Sequence, residues 1–331
     1  MKENYYDKAI SFAALYQGLK ASCRSVRWKG SVIRYEAYGL KNTYLLRQSL
    51  LNGTYQISPY QKFVIYEPKK RIIYAPRIKD RQVQHALCDN GLYQDIAEHF
   101  IRDNMACQKG RGTDDALNRF KVLLRRYVNK NGVDGWVLKC DVHHFFPTTP
   151  HKTVKDAAEK YISDEKSRAM VYDVIDSFDG DRGLGLGSQI CQIIELLVLN
   201  DLDHFIKEQL RIKCYIRYMD DFILIHPDKQ YLQQCRSTIA ARLAAIGLTL
   251  NKKTTLQPLN HGVMFLKWHY MIESTGHIYM LMNRKKIAKQ KHRMNKLPAD
   301  KANQSLTSFL ANTFRGNTWK IQQYIKTLYR S

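Results

Sequence analysis

The residues best suited to chemistry in this chain are two adjacent aspartates, Asp220 and Asp221, within the run CYIRYMDDFILI (Cys214–Ile225). A polar hairpin turn commonly contains aspartate, which bonds locally to the backbone. The Tyr, Ile, Phe and Leu residues on both sides nevertheless predict a buried setting, in which two uncompensated charges are costly. A divalent cation would offset their repulsion, and carboxylate oxygens are the hard ligands that Mg²⁺ and Mn²⁺ prefer. The run therefore predicts a metal site.

A third carboxylate is expected on a neighbouring strand, and Asp141 is the best candidate because it also interrupts an apolar run, WVLKC (136–140). Three such carboxylates could hold two Mg²⁺ ions. One ion would lower the pKa of an attacking hydroxyl and the other would stabilise a leaving phosphate. Val142, the next residue along the chain, is included among the predicted metal-binding residues.

Other potential metal ligands fit less well. His143 and His144 are adjacent, and adjacent strand residues point to opposite faces of a sheet, so the two make a poor chelate. We interpret them as structural or template-contacting residues. The seven cysteines are widely spaced and form no CxxC pair, which predicts reduced thiols in a cytoplasmic protein rather than a zinc site or a disulfide framework.

The charge of the chain indicates a polyanionic partner. The 331 residues contain 53 Lys and Arg against 30 Asp and Glu, a formal net charge of +23. Counterion release would then drive much of the binding, and nucleic acid is the leading candidate. A membrane partner is disfavoured because no apolar run approaches the roughly 20 residues that span a bilayer. The first 20 residues mix charges with apolar residues and lack a signal-peptide core.

The elements that must position the aspartates alternate between strand and helix patterns. Residues 5–50 are predicted to be mainly helical, Gln61–Pro76 a hairpin, and 151–178 helical. The last fifty residues are predicted to be helical and include the strongly basic stretch RKKIAKQKHRMNK (284–296). This order predicts an α+β fold in which helices cover one face of an antiparallel sheet.

Three short motifs carry a resemblance to a known family. Tyr218, Met219, Asp220 and Asp221 resemble the YxDD box of reverse transcriptases, and Asp141 followed five positions later by Phe146 resembles their first catalytic strand. The segment 186–192, LGSQICQ, resembles the GxxxSQ box of the reverse transcriptases of diversity-generating retroelements, with cysteine where serine is usual. The resemblance runs over about residues 54–320 and extends to the group II intron-like bacterial lineage.

The resemblance implies a right-hand polymerase fold. In this division, 1–53 is a basic N-terminal extension, 54–134 the fingers and 135–278 the palm, with fingers elements interleaved near 151–182. Residues 279–331 then form a short basic helical thumb.

The resemblance also implies a nucleotide site. Lys69 and Arg71, with the segment DRQVQHAL (80–87), correspond to a fingers motif that grips the incoming triphosphate. Phe146 would stand under the sugar and favour deoxynucleotides. Leu186 lies where many reverse transcriptases carry glutamine, which suggests low fidelity. The remaining residues assigned to this site are Phe145, Gln192 and Lys253.

A primer and template site is implied in the same way. FLKW (265–268) is similar to the primer grip, usually FLGW, and Lys267 replaces the glycine of that turn. The assigned primer and template residues are Tyr218, Met219, Phe265, Leu266, Lys267, Trp268, Arg284, Lys285 and Lys289.

The leading functional prediction is an RNA-directed DNA polymerase of a diversity-generating retroelement. It would use an RNA template, a DNA or RNA primer and dNTPs, with a small basic accessory protein or a non-coding RNA as a further partner. One alternative is a phage-defence reverse transcriptase that copies a dedicated non-coding RNA or uses no template. A catalytically inactive RNA-binding protein and a palm-type nucleotide cyclase are two others, which the carboxylate set and the basic C-terminal region respectively disfavour.

Overall fold

The computed structural model describes residues 4–66 and 70–328. The amino-terminal half of the chain is mostly helical around one hairpin. Its helices are α1 Tyr5–Ala9, α2 Phe12–Cys23, α3 Gly30–Ala37, α4 Gly39–Leu51, α5 Ile78–Leu87, α6 Tyr93–Ala97 and α7 Thr113–Asn131. The hairpin is formed by β1 Gln61–Ile65 and β2 Arg71–Ala75, which pair antiparallel and confirm the strand pair predicted there.

A four-stranded antiparallel sheet lies at the centre of the fold. Its strands are β3 Trp136–Asp141, β4 Cys214–Tyr218, β5 Asp221–His226 and β6 Thr255–Pro258, in the spatial order β4-β5-β3-β6. The central strand β5 has four successive residues, Phe222 to Ile225, with no more than 2% of each exposed. Such a continuous apolar run is typical of a strand that is covered on both faces.

The alternation of side chains divides this sheet between two hydrophobic cores. On one face, Leu138, Cys140, Phe222 and Leu224 belong to a core with a group of helices. These helices are α8 Phe145–Thr148, α9 His151–Tyr161, α10 Glu165–Asp176, α11 Gln189–Val198, α12 Asn200–His204 and α13 Lys229–Ala245. The predicted layer of helices on a sheet is thereby present.

The opposite face of the sheet is also covered. Val137, Ile223 and Ile225 pack there with apolar residues of α7, among them Phe120. A second, three-stranded antiparallel sheet completes this core, with the order β7 Val263–Phe265, β8 Trp268–Ile272 and β9 Ile278–Met282. The two sheets therefore share one core.

The carboxyl-terminal region continues as helices from the end of β9. They are α14 Arg284–Met294, α15 Ala299–Thr313 and α16 Trp319–Leu328. Asn317 joins this region to β9, because its backbone N–H donates to Met280 O (2.8 Å) and its side-chain oxygen accepts from the Met280 N–H (3.0 Å). Within the described ranges, no helix has the length and apolar character needed to cross a bilayer.

One local prediction about backbone structure was wrong. His143 and His144 do not continue a strand, because β3 ends at Asp141 and His144 adopts a left-handed conformation (φ 45°) before α8. The two rings lie edge to face with their centroids 4.3 Å apart, instead of on opposite sides of a sheet.

The turn between β7 and β8 contains Lys267, which occupies the position of the glycine in the FLGW motif. Phe265 pairs with Trp268, so Leu266 and Lys267 form a two-residue hairpin turn, and both have positive φ, 47° and 71°. This turn type requires positive φ at both positions, which favours glycine or asparagine. The two-residue turn is thus formed by residues that are strained in it.

We predict that Lys267→Gly stabilises the protein by about 1 kcal/mol, because glycine adopts positive φ without the steric penalty. Urea unfolding of the two proteins would measure this difference. Gly262→Ala is the matched control with the opposite sign: Gly262 has φ 75°, and an added Cβ would lie 2.5 Å from His269 Nε2. A Lys267→Gly variant no more stable than the parent would contradict the assignment of strain to this turn.

Candidate active site

The three predicted carboxylates come together at one end of the four-stranded sheet. Asp141 is the last residue of β3, Asp221 is the first residue of β5, and the two are direct cross-strand partners. Cross-strand partners project from the same face of a sheet. Asp220 immediately precedes β5, and its backbone carbonyl accepts from the Val142 N–H (3.2 Å). The register of two antiparallel strands therefore brings these residues together.

Two polar side chains already contact these carboxylates. Lys139 Nζ donates to Asp221 Oδ2 (3.1 Å) and to Met264 O (2.9 Å), so one ammonium links the candidate site to β7. Asn251 Nδ2 donates to Asp141 Oδ2 (2.7 Å), and the Asn251 N–H donates to Asp141 O (2.7 Å). Asp221 Oδ1 is buried and has no hydrogen-bond partner in the part of the chain that the structure describes.

The electrostatics of the site reflect this crowding. Burial raises the pKa of Asp220, the charges of Asp141 and Asp221 raise it further, and the Arg71 guanidinium opposes them. Burial likewise raises the pKa of Asp221, against the opposing effect of Lys139. A raised carboxyl pKa means that the surroundings disfavour the ionised form. The site is thus short of positive charge even with Lys139 present.

The residues fit a divalent cation by their chemistry. Their donor atoms are hard carboxylate oxygens, and a buried Asp221 oxygen without a partner is an orphaned acceptor that a cation could satisfy. Among residues 4–66 and 70–328, however, no three His, Cys, Asp or Glu side chains are grouped as a preformed metal cage. Lys139 and Asn251 instead engage two of the carboxylate oxygens.

The residues predicted to meet a nucleotide occupy different environments. Arg71 begins β2 and is exposed, and its charge acts on Asp220. Leu186 is tied to the same strand, since the Tyr74 N–H donates to Leu186 O (2.7 Å). Phe146 is half-buried. The β1–β2 hairpin is therefore bonded to the loop at Leu186, and the charge of Arg71 acts on Asp220 at the sheet end. The nucleotide roles of Arg71, Leu186 and Phe146 stay predictions.

The other nucleotide candidates differ in exposure. Phe145 is only 2% exposed and packs in the core, with its ring edge to face with that of Phe146 (centroids 6.0 Å apart), so its predicted nucleotide contact has almost no side-chain surface available. Gln192 is half-buried on α11, and Lys253 is exposed after the turn at Asn251. Lys69 lies outside the described residues.

The predicted primer residues also divide into buried and exposed side chains. Phe265 and Trp268 are 0% and 3% exposed, because they are strand residues that face the shared core, and they have almost no surface for a primer. The turn residues Leu266 and Lys267 face outward, half-buried and exposed respectively. Val142 is 1% exposed, so any part it takes in ion binding falls to its backbone.

Tyr218 and Met219 adjoin the aspartates, and both are half-buried. Tyr218 is the cross-strand partner of Asp221 on β4, while Met219 has positive φ (58°) in the turn. Lys285 and Lys289 are exposed on α14, which Arg284 begins.

Sequence reasoning missed the residues that support the carboxylates. Lys139 could have been found, because it lies two positions before Asp141 in an apolar strand and must share its face. Asn251 lies two positions before Lys253, which the sequence analysis did assign to the site.

Glu195 of α11 was also missed. Its side chain is fully buried, Oε2 lies 3.2 Å from Thr149 Oγ1, and burial raises its pKa strongly. The Thr149 hydroxyl also bonds to Phe145 O at 2.7 Å. The Thr149 hydroxyl therefore links Glu195 on α11 to the backbone of α8. Glu195 thereby supports the helix that carries Phe146.

A comparison with known protein families assigns most of the chain to one family. Residues 25–269 match the family "Reverse transcriptase (RNA-dependent DNA polymerase)". The chain belongs to the reverse transcriptase family. The match includes β3, the turn at Asp220 and β5, so the carboxylate site lies within the shared region.

Individual relatives of this reverse transcriptase family member are distant. The chain is 24% identical over 271 residues to Protein YkfC of Escherichia coli K12, with 67% of this chain and 69% of that protein covered. Among solved structures it resembles apo telomerase from Candida tropicalis, with a TM-score of 0.54, 14% identity, and 67% of this chain and 48% of that chain covered.

A second telomerase structure, from Candida albicans with the TWJ fragment of telomeric RNA, has a TM-score of 0.52 and 11% identity. It covers 84% of this chain and 60% of that chain. The chain thus spans about half to three fifths of the telomerase chains that it matches, and these likenesses establish the fold. They confirm the predicted mixed helix and antiparallel-sheet polymerase fold.

We predict that Asp220→Asn stabilises the metal-free protein at neutral pH, raising its melting temperature by a few degrees. Because the folded chain raises the pKa of Asp220 above its ordinary value of 3.8, ionisation destabilises the fold as the pH rises through the folded value. The gain should therefore be present at pH 7 and vanish near pH 3. Thermal unfolding of parent and variant in EDTA at both pH values would measure it.

Asp179→Asn is the control for this comparison, since the Asp179 side chain is 95% exposed and its loss should change little. A variant at Asp220 that is less stable than the parent at pH 7 would show that burial of this charge costs the fold nothing.

Proposed function

We propose that the protein is an RNA-directed DNA polymerase that makes cDNA from an RNA template by two-metal nucleotidyl transfer. The observation that carries the proposal is the cross-strand pair Asp141 and Asp221 with Asp220 beside it, in a chain of the reverse transcriptase family. The net charge of +23 supports a nucleic-acid partner. The telomerase relative solved with an RNA fragment supports RNA as one such partner.

Asp141, Asp220 and Asp221 would hold two Mg²⁺ ions, or Mn²⁺, together with the backbone of Val142. When bound, these ions would lower the pKa of the primer hydroxyl and neutralise charge on the leaving pyrophosphate. Neighbouring residues of the chain would orient the three carboxylates. Asn251 fixes one Asp141 oxygen, and Lys139 holds Asp221 against β7. The carboxylates are thereby presented from a rigid sheet.

Around this centre, Arg71 would neutralise triphosphate charge, with Lys69 beside it in sequence. Phe146 would pack under the sugar and exclude a 2′-hydroxyl. Leu186 and Gln192 would complete the nucleotide site, and Lys253 would contact the leaving group or the template. These assignments follow the resemblance of the motifs.

The primer and template would lie along Tyr218, Met219 and the turn Leu266–Lys267. The basic helix α14, with Arg284, Lys285 and Lys289, would contact the phosphate backbone. In this proposal the fingers, palm and thumb divide at the boundaries given above, and the protein acts in the cytoplasm.

The decisive experiment is primer extension on an RNA template with Mg²⁺. Asp220→Asn should reduce the extension rate roughly 1,000-fold or more, because several kcal/mol of transition-state stabilisation depend on the bound ions. The control is Asp228→Asn, since asparagine caps a helix as well as the aspartate that now caps α13. Extension that survives Asp220→Asn at the parent rate would overturn the mechanism.

We further propose that synthesis is error-prone and serves a diversity-generating retroelement, with an accessory basic protein or non-coding RNA as partner. Leu186 has an aliphatic side chain, which cannot hydrogen-bond to a nucleotide as glutamine could. Sequencing the cDNA made in cells would test the role. A mutagenised copy of a neighbouring gene repeat supports it, whereas an unmutated copy of a dedicated non-coding RNA, or untemplated DNA, would favour a phage-defence role.

We predict that Leu186→Gln lowers the misincorporation frequency about 10-fold, the effect of roughly 1.4 kcal/mol of added discrimination. The frequency would be measured by sequencing products made in vitro from one defined template. Leu186→Met, which keeps an apolar side chain of similar volume, is the control and should leave the frequency unchanged. Equal error rates in the parent and the glutamine variant would remove Leu186 as the cause.

A further inference from the structure

A fully buried arginine lies directly behind the turn that carries the candidate metal ligands. Arg217 is the penultimate residue of β4 and is 0% exposed. Its neighbour Tyr218 is the cross-strand partner of Asp221, so Arg217 projects from the opposite face of the sheet. Arginine is almost never fully buried unless it is paired. Its partners therefore indicate what it does.

Most of the guanidinium is bound by one carboxylate. Arg217 Nε lies 2.7 Å from Asp203 Oδ1, and Nη2 lies 2.6 Å from Asp203 Oδ2, a two-pronged contact with a side chain that is also 0% exposed. The Tyr215 hydroxyl donates to Asp203 Oδ1 (2.5 Å), and Arg217 Nη2 also donates to Leu196 O (3.1 Å). The head group is thus held in one orientation.

The remaining arm of Arg217 reaches the turn. Nη1 donates to Met219 O at 3.0 Å, and that carbonyl belongs to the peptide group that leads into Asp220. Met219 has positive φ (58°), a conformation that is disfavoured for a side chain of this type. A strained turn persists only where its surroundings hold it. Arg217 supplies such a restraint from the buried side.

Fold stability by itself gives little reason to retain this pair. A buried ion pair can often be replaced by well-packed apolar residues of similar volume without loss of stability, because desolvation offsets the attraction between the charges. Apolar residues could not, however, donate a hydrogen bond to Met219 O. They could not donate to Leu196 O either, but of these two bonds only the one to Met219 O reaches the turn that carries the aspartates.

We propose that Arg217, oriented by Asp203, is a positioning residue that fixes the turn at Tyr218–Asp221 and so sets where Asp220 stands relative to Asp141. The proposal rests on the function proposed above. Misplacement of a reacting group by about 1 Å can cost about 100-fold in rate. Loss of the bond from Arg217 to Met219 should therefore affect catalysis and ion binding more than it affects folding.

The chain offers a matched control beside the same edge strand, β4. Arg119 pairs with Asp103 at 2.6 Å, with 13% and 6% of the two side chains exposed. The backbone of Asp103 adds to the edge of β4, because Asp103 O accepts from the Arg217 N–H (2.9 Å). Arg119→Lys thus perturbs a largely buried ion pair beside β4 but leaves the bond to Met219 intact.

The test compares the full-length parent with Arg217→Lys, with the apolar triple variant R217M/D203L/Y215F, and with Arg119→Lys. Lysine can pair with Asp203 but cannot also reach Met219 O, while the triple variant leaves none of the three groups buried without its partner. The measurements are the melting temperature and the primer-extension kcat as a function of Mg²⁺ concentration.

We expect both Arg217 variants to lose about 100-fold in kcat and to need more Mg²⁺ for half-maximal rate. The triple variant should keep its melting temperature within a few degrees of the parent, and Arg119→Lys should keep the parent kcat. A parent-like kcat and Mg²⁺ dependence in either Arg217 variant would overturn the proposal, as would an equal loss in Arg119→Lys.

Binding of Mn²⁺, measured by electron paramagnetic resonance without any nucleic acid, separates this proposal from the proposed function. If the parent extends no primer, the proposed function fails, but weaker Mn²⁺ binding in Arg217→Lys than in the parent and Arg119→Lys still supports Arg217 as a positioning residue. Equal binding in all three, or no binding to the parent, overturns it.

Discussion

The structure depends on how three carboxylates of like charge are held together at one end of a buried sheet. Asp141 and Asp221 face each other across β3 and β5, and Asp220 adjoins them in the turn. Without compensation, such an arrangement opposes folding. Lys139 supplies part of the compensation through Asp221 Oδ2, and a divalent cation would supply the rest. The two can act on different oxygens of Asp221, since Lys139 contacts Oδ2 and Oδ1 has no hydrogen-bond partner among the described residues.

The surrounding fold explains why the carboxylates tolerate this crowding. The sheet is packed on both faces, so the ends of β3 and β5 cannot separate without disrupting two cores. Two non-glycine residues with positive φ, His144 and Met219, lie within three positions of Asp141 and Asp220 in the chain. Strain that gathers at one end of a sheet is typical of a functional site, where packing over-determines the backbone.

Much of this site could be predicted from the sequence because charge in an apolar run is a local signal. Asp141, Asp220 and Asp221 all interrupt runs of residues that are otherwise typical of a core strand. The hairpin 61–76 was predicted from two β-rich runs joined by the polar sequence Glu-Pro-Lys-Lys. The supporting residues could not be identified in this way. Asn251 and its hydrogen-bond partner Asp141 are 110 positions apart in the sequence, and Lys139 and Met264 are 125 apart. Such pairs come together only when the sheets are assembled.

Other differences between the expected and the observed environments of residues have a local cause. Phe145 and Phe146 are neighbours in a single helical turn, where one must face the core and the other away from it, and the letters alone do not say which. The box FLKW contains two strand ends and the turn between them, so its first and last residues are buried while the middle two face outward. The histidines were misplaced because β3 stops at the aspartate instead of continuing past it.

The central claim is that the three aspartates bind divalent cations at the end of this sheet. Anomalous X-ray scattering from crystals of the parent grown with Mn²⁺, primer–template and a non-hydrolysable dNTP analogue would test it most directly. The account predicts anomalous peaks within about 2.0–2.6 Å of oxygens of Asp141 and of the Asp220–Asp221 pair. Ordered nucleotide with no anomalous density at these carboxylates, or density bound only elsewhere, would contradict it.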